Sequence, residues 1–328
     1  MMSVQLSKKS LVKRILVVSM TNIGDVVLSA GVIDILRRDF PQAQIDVVVG
    51  KKAVSLFADN PHVGIKVYDK QASLRQKYAW FLDLYRRRYD VVVDLRHTLL
   101  GWLLGAKYTT PVFSVSLRAK RSNLHKKDIH LNRLRQVYDF DTTSAKPLAI
   151  LTTKEDERFF ANAVAGGLQG HSFVVIAPGA ADAAKRWHSQ GFAALADHLS
   201  ETRKVVFVGD AQDVLIVEDI QKRMKRPCVS LAGKINLRQL AFILKKSSGV
   251  VCHDSGVMHL ACYAHVPVVV LWGPTDVGKY APWGKKSVIV RRNEKCVRCH
   301  DPKSTLAHTC MSSIEIQDVL NAVKEIQL

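Results

Sequence analysis

Short apolar runs alternate with segments of helical period, and the whole pattern occurs twice along this 328-residue chain. No other feature constrains its fold as strongly. Residues 14–19 (RILVVS) form an apolar run that ends in Met20-Thr21-Asn22-Ile23-Gly24-Asp25, after which Val27, Leu28, Val32, Ile35 and Leu36 recur at helical spacing. The spacing predicts a strand, a glycine turn and a helix. Further strands are expected at 45–49 and 91–95, with a helix rich in Tyr and Arg over 78–89 between them. Strands joined by helices form parallel βα units, since the crossover returns the chain to the same end of the sheet. From about 141 to 170 the pattern loosens, and Thr153 followed by Glu155, Asp156 and Glu157 reads as the capped start of a connecting helix. The alternation then restarts, with strands at 173–176, 204–208, 249–252 and 266–271 and helices at 192–199, 214–224, 237–244 and 257–263. The fold class is α/β, with one Rossmann-like domain over 1–152 and a second over 153–328. Ligands of such sheets bind at the carboxyl ends of the strands, which directs attention to the loops at 21–25, 178–187, 209–213, 252–259 and 272–276.

Composition narrows the classes of function. At 48% hydrophobic, the chain has enough apolar residues for two cores. Its longest apolar runs, 266–272 and 99–104, fall well short of the roughly 20 residues that span a bilayer. Six cysteines are scattered or in one pair, and the N-terminal residues lack a signal-peptide pattern, so a reducing, cytoplasmic compartment is expected. Net charge is +19, with 25 basic against 12 acidic residues over 1–150 and 23 against 17 over 151–328. Such a field attracts nucleic acid, anionic headgroups and phosphorylated sugars alike. Nucleic acid is disfavoured, because the basic segments carry few aromatics and show no helix-turn-helix, finger or RNA-binding signature.

Three loops carry chemistry. The first places Gly24 and Asp25 between a buried strand and a helix start, without the three glycines of a dinucleotide fingerprint or the Gly-Lys-Ser/Thr of a phosphate loop. Asp25 there either serves the helix amides or acts on a ligand. The second loop runs Ala177-Pro178-Gly179-Ala180-Ala181-Asp182-Ala183-Ala184-Lys185-Arg186-Trp187. Its small residues let backbone amides approach an anion, and Lys185 supplies charge to a phosphate. A solvated basic turn is the alternative, although Trp187 is an odd choice for one. In the third, Cys252-His253-Asp254-Ser255-Gly256-Val257-Met258-His259, a strand empties into the start of a helix. Ser255 and Gly256 suit a phosphate, Asp254 suits sugar hydroxyls, and His259 lies in the first helical turn.

Together these loops resemble the ADP-heptose:lipopolysaccharide heptosyltransferases, the family nine glycosyltransferases, over nearly the whole chain. The residues that carry the resemblance are Gly24-Asp25, Pro178-Gly179-Ala180 with Ala184-Lys185-Arg186-Trp187, Asp254-Ser255-Gly256-Val257-Met258-His259, and Gly273-Pro274-Thr275. The Ala-Lys-Arg-Trp and Asp-Ser-Gly-x-Met-His versions are more similar to the enzyme adding the second inner-core heptose than to the one adding the first. The resemblance implies a GT-B fold of two facing Rossmann-like domains with a cleft between them, acceptor bound by the N-terminal domain and nucleotide sugar by the C-terminal one. It implies inverting, metal-independent transfer from ADP-heptose to an anionic glycolipid at the cytoplasmic membrane surface, with no cofactor. By position, Asp25 is then the general base, Lys185 steadies the diphosphate, Asp254 holds the transferred sugar, Asp213 meets the ribose and Ile235 lines the adenine pocket. Where some relatives place threonines against the diphosphate, this chain has Ala180 and Ala181, so contact there falls to backbone amides. Transfer from another nucleotide sugar to another glycan, a non-catalytic sugar-binding module and a basic nucleic-acid-binding protein are the alternatives.

Two further features stand outside the loops. Cys296, Cys299 and Cys310, flanked by His300 and His308, are compatible either with structural zinc or with thiols, since there is one CxxC rather than two. The basic segment 118–127 (RAKRSNLHKK), with Lys120 and Arg121, and the triplet Arg86-Arg87-Arg88 lie near the apolar stretch 99–104. That pairing suits an anionic acceptor at a headgroup surface, or alternatively a solvated loop beside a buried helix.

Overall fold

The computed structural model describes residues 11–19, 21–112, 124–142, 147–164, 168, 171–292, 296 and 309–328. Two compact units divide the chain, Met1–Leu151 and Thr152–Leu328.

The N-terminal unit contains strands β1 (Arg14–Val18), β2 (Gln44–Val49), β3 (Val63–Val67), β4 (Val91–Asp94) and β5 (Tyr108–Thr109), with helices α1 (Ile23–Asp39), α2 (Leu74–Arg86), α3 (Leu100–Leu103) and α4 (Lys126–Arg135). All neighbouring strands pair in parallel, in the order β3-β2-β1-β4-β5. Four consecutive residues of β1, five of β2 and all of β4 are buried, as expected of strands covered on both faces. The strand order reverses between β1 and β4. A crevice at the carboxyl ends of those two strands is where such a sheet takes its ligand.

The C-terminal unit repeats the plan with one more strand. It holds helix α5 (Lys154–Val164), β6 (Phe173–Ala177), α6 (Ser189–Leu199), β7 (Lys204–Phe207), α7 (Val214–Arg223), β8 (Val229–Ser230), α8 (Leu237–Lys246), β9 (Gly249–His253), α9 (Gly256–Tyr263), β10 (Val268–Leu271), α10 (Val277–Tyr280), β11 (Ser287–Val290) and α11 (Ile316–Glu325). Its parallel sheet has the order β11-β10-β9-β6-β7-β8, so the switch lies between β6 and β9. The core joins Val174, Ile176, Phe207, Val251, Val269 and Leu271 of the sheet to Trp187, Phe192 and Leu195, with Val319 and Val323 from α11.

The α/β architecture and the central strands agree with the sequence pattern, while element ends and sheet edges differ. The helix expected over 78–89 begins at Leu74, because Ser73 and Gln76 form a reciprocal capping box that starts it a turn earlier. The strand expected from 266 begins at Val268, after Pro267, which has no N–H to give the ladder. Strands β3, β5, β8 and β11 and helices α4, α10 and α11 lie outside the elements expected from the sequence pattern. The four strands are short and sit at or beside sheet edges, where only part of the strand is buried and no long apolar run marks it.

Candidate functional site

In the N-terminal unit the loop after β1 carries Thr21 to Asp25, and the loop after β4 carries Arg96 and Thr98. Thus the two loops at the switch point supply the candidate residues. The second loop is held by Asp94, which is buried and accepts from the Arg96 amide at 2.8 Å, the Thr98 amide at 2.6 Å and the Thr98 hydroxyl at 2.7 Å. Arg133 of α4, also buried, donates from Nη2 to the Asp94 carbonyl at 2.9 Å and from Nη1 to the Pro111 carbonyl at 2.8 Å. Gly24 and Asp25 open the first turn of α1 and are half-buried. Burial raises the Asp25 pKa above its ordinary value, and Lys126, Arg96 and a hydrogen bond from the Asn22 side chain pull it back. A carboxylate so placed is a better base than a solvated one. Nothing local in the sequence joins Arg96 or Lys126 to Asp25; the fold does.

Beside this crevice is a cavity of about 320 Å³, walled by Val18, Val48, Tyr68, Trp80 and Leu103, with Arg96 among its lining residues. Leu99, Trp102 and Leu103 are exposed at 49%, 70% and 47%, while Leu104 is buried and Leu100 packs against the core, so the apolar stretch at α3 presents one face to solvent and one to the unit. Arg87, by contrast, is structural. It pairs with the buried carboxylate of Asp46, which also accepts from the Tyr89 hydroxyl. Lys120 and Arg121 lie outside the described residues, as do Cys299, His300 and His308. Cys296 and Cys310 are buried in the apolar core of the C-terminal unit.

At the C-terminal switch point the loop after β6 meets the loop after β9. Lys185 Nζ lies 2.7 Å from Asp254 Oδ2, and the Asp254 side chain is only 7% exposed. The two residues given separate tasks by sequence are therefore paired with one another. Trp187 is buried, with its indole N–H donating to the Ile314 carbonyl at 2.9 Å, so it anchors the loop from below. The buried His253 accepts from the Trp187 amide at Nε2, 2.9 Å away, and its Nδ1 lies 3.4 Å from the Gly179 carbonyl. Those partners require a neutral ring with the proton on Nδ1. Burial pushes its pKa down to about 4. His253 thereby ties both ends of the 179–187 loop to β9, a role that pattern reading gave to no residue.

Gly179 is demanded by Asp213, since a Cβ at that position would sit 2.2 Å from the Asp213 carboxylate. Asp213 reciprocally caps the turn begun by Asp210, and its pKa is raised by desolvation. Gly233, with φ +70°, donates to the Gly209 carbonyl at 3.0 Å and so ties the loop bearing half-buried Ile235 to the loop bearing Asp213. Ala180 is buried, and its carbonyl accepts from Arg186 Nε at 2.9 Å. Ser255 precedes α9 without capping it, and its hydroxyl has no partner among the described residues. Gly256 begins α9, whose first-turn amides face the same loop. His259 is buried and stacks on Trp283 at 5.4 Å between centroids.

Residues 79–309 match the model of glycosyltransferase family 9 (heptosyltransferase). The chain belongs to this family. It is 26% identical over 293 residues to lipopolysaccharide heptosyltransferase 3 of Escherichia coli, an alignment covering 81% of this chain and 85% of that protein. Among solved structures it resembles a family 9 glycosyl transferase of Veillonella parvula, with TM-score 0.81, 24% identity and coverage of 96% and 97% of the two chains. It also resembles the ADP-heptose lipopolysaccharide heptosyltransferase II of E. coli, with TM-score 0.70, 21% identity and coverage of 95% and 98%. These likenesses establish the GT-B class of fold. Within the family 9 chain, the motif residues Gly179, Lys185, Asp254, Ser255 and Gly256 all lie on the two loops of the C-terminal switch point, and Gly24 and Asp25 lie on the N-terminal one.

Proposed function

We propose that this family 9 chain is an inverting heptosyltransferase that moves heptose from ADP-heptose to the inner core of lipopolysaccharide. In this reading the N-terminal unit takes the acceptor and the C-terminal unit the nucleotide sugar. The observation that carries it is Asp25, a half-buried carboxylate of raised pKa at the switch point of a glycosyltransferase sheet. An acceptor hydroxyl is a poor nucleophile near neutral pH. Asp25 takes its proton while the oxygen attacks the anomeric carbon from the face opposite the diphosphate, which inverts that centre. The departing diphosphate gathers negative charge, met by Lys185 and the first amides of α9. Asp254 orients both Lys185 and the sugar, Asp213 and Ile235 receive the nucleoside, and His259 backs the sugar pocket from within α9.

The anionic acceptor is held by the basic N-terminal unit, including Lys120 and Arg121, at the cytoplasmic face of the membrane. Exposed Leu99, which lines the same cavity as Arg96, and exposed Trp102 on α3 support that placement. No helix among the described residues is long and apolar enough to cross a membrane. Incubation of the purified chain with ADP-heptose and a heptose-deficient core acceptor should add one heptose by mass spectrometry. The Asp25→Asn variant should add none while binding ADP within a few-fold of wild type. Transfer only from a different nucleotide sugar would move the assignment to the related transferase. Activity should persist in EDTA, because fixed protein charges serve the leaving group; a strict divalent-ion requirement would refute that part.

A further inference from the structure

The loop after β6 carries two adjacent cations, and among the described residues only the first has a carboxylate partner. Lys185 is tied to Asp254 at 2.7 Å, so much of its charge is already answered before any ligand arrives. Arg186 spends Nε on the Ala180 carbonyl at 2.9 Å and makes no ion pair among the described residues. Its two terminal nitrogens therefore keep their donors. The guanidinium is half-buried and felt by groups on both flanking loops, namely Asp213 after β7 and His253 at the end of β9. Since β6 lies between β9 and β7 in the sheet, Arg186 stands at the carboxyl edge beside the switch point.

Its backbone is fixed from both sides. The Arg186 amide donates to Ala183, and the next amide, that of Trp187, donates to the buried His253 ring. Little conformational entropy remains to be lost when the fork engages a ligand. Ala180 and Ala181 bring no hydroxyl to this loop, so its capacity for a multiply charged anion must come from cations and backbone amides. A planar fork with free N–H groups matches two oxygens of one phosphate, which a single lysine does not. We infer that Arg186 is a second phosphate-binding cation of the donor site, gripping the diphosphate of a nucleoside diphosphate beside Lys185.

The inference rests on the reading of the C-terminal unit as the donor-binding one. It is tested by calorimetric titration of the full chain with ADP, AMP and inorganic diphosphate, for wild type, Arg186→Ala and Arg186→Lys, with circular dichroism to check folding. Arg186→Ala should weaken ADP and diphosphate by about tenfold or more, the range for a charge-assisted hydrogen bond, and AMP much less. Arg186→Lys should recover part of the loss, because it restores charge without the fork. An Arg186→Ala variant that binds ADP and diphosphate within about twofold of wild type overturns the inference and leaves the donor reading standing. Wild-type chain that binds diphosphate but not ADP, with the loss in Arg186→Ala intact, overturns the adenosine assignment and sustains Arg186. Binding of neither overturns both.

Discussion

At the scale of single residues, Asp25 and Gly179 give the sharpest expectations. With Asp25 as the proposed base, the rate should fall as pH drops through its pKa, and that acid limb should lie above the ordinary aspartate range. Lys126 and Arg96 favour the anion. Lys126→Ala should therefore move the limb to higher pH, and Arg96→Ala should move it the same way by less, since Lys126 is the larger influence. Profiles of kcat/KM against pH measure this; an unmoved or downward limb in Lys126→Ala would contradict the assigned neighbours. Gly179→Ala drives a methyl into the Asp213 carboxylate. ADP affinity should drop by about tenfold, while loss of the Asp213 cap costs only about 1 kcal/mol of stability. Titration with ADP beside a thermal melt separates the two, and unchanged affinity would remove Asp213 from the proposed nucleotide site.

At the scale of elements, the pinning of the 179–187 loop to β9 makes the C-terminal unit acid-sensitive. His253 is held neutral, with a folded pKa of about 4 against an ordinary 6.5. Between those values the unfolded chain binds the proton more readily. The stability His253 contributes is complete above about pH 6.5 and is lost as pH falls towards 4, by an amount on the order of 3 kcal/mol. His253→Gln can accept from the Trp187 amide and donate to Gly179 without titrating. Urea unfolding followed by tryptophan fluorescence at pH 7.5 and pH 5 should show a smaller loss for this variant than for wild type; equal losses would assign the acid sensitivity elsewhere, for example to His130, whose burial lowers its pKa to about 3.

At the scale of the whole molecule, the +19 charge and the exposed apolar residues of α3 predict salt-dependent association with anionic surfaces. Vesicles containing phosphatidylglycerol should bind the chain at low ionic strength and release it as the Debye length shrinks from about 30 Å at 0.01 M towards 8 Å at 0.15 M. Replacing Lys120, Arg121, Lys126 and Lys127 with Ser should weaken this binding, each cation being worth on the order of 1 kcal/mol near such a surface. A parallel gel shift with duplex DNA discriminates the alternative: loss of DNA binding with vesicle and acceptor binding intact would turn the basic segment towards nucleic acid.

Local pattern alone determined that the chain builds two α/β sheets and that the candidate loops follow β1, β6 and β9, because apolar period and glycine placement are properties of neighbouring residues. Asp25, Lys185 and Asp254 stood out for the same reason, each in a short motif between a strand and a helix. What those residues face was decided by sheet order, which no local window contains. Strand reversal sets Arg96 from the loop after β4 near Asp25, while the folded N-terminal unit brings Lys126 of α4 to the same carboxylate. It likewise puts β9 against β6, so that Asp254 meets Lys185 and His253 reaches both Gly179 and Trp187. Gly179 could be read as a small residue from sequence, but only the folded unit gives the reason, which is the Asp213 carboxylate arriving from the next loop. Edge strands stayed hidden because half-buried backbone needs no continuous apolar run, and their existence follows from hydrogen bonds to a neighbour that is already in place.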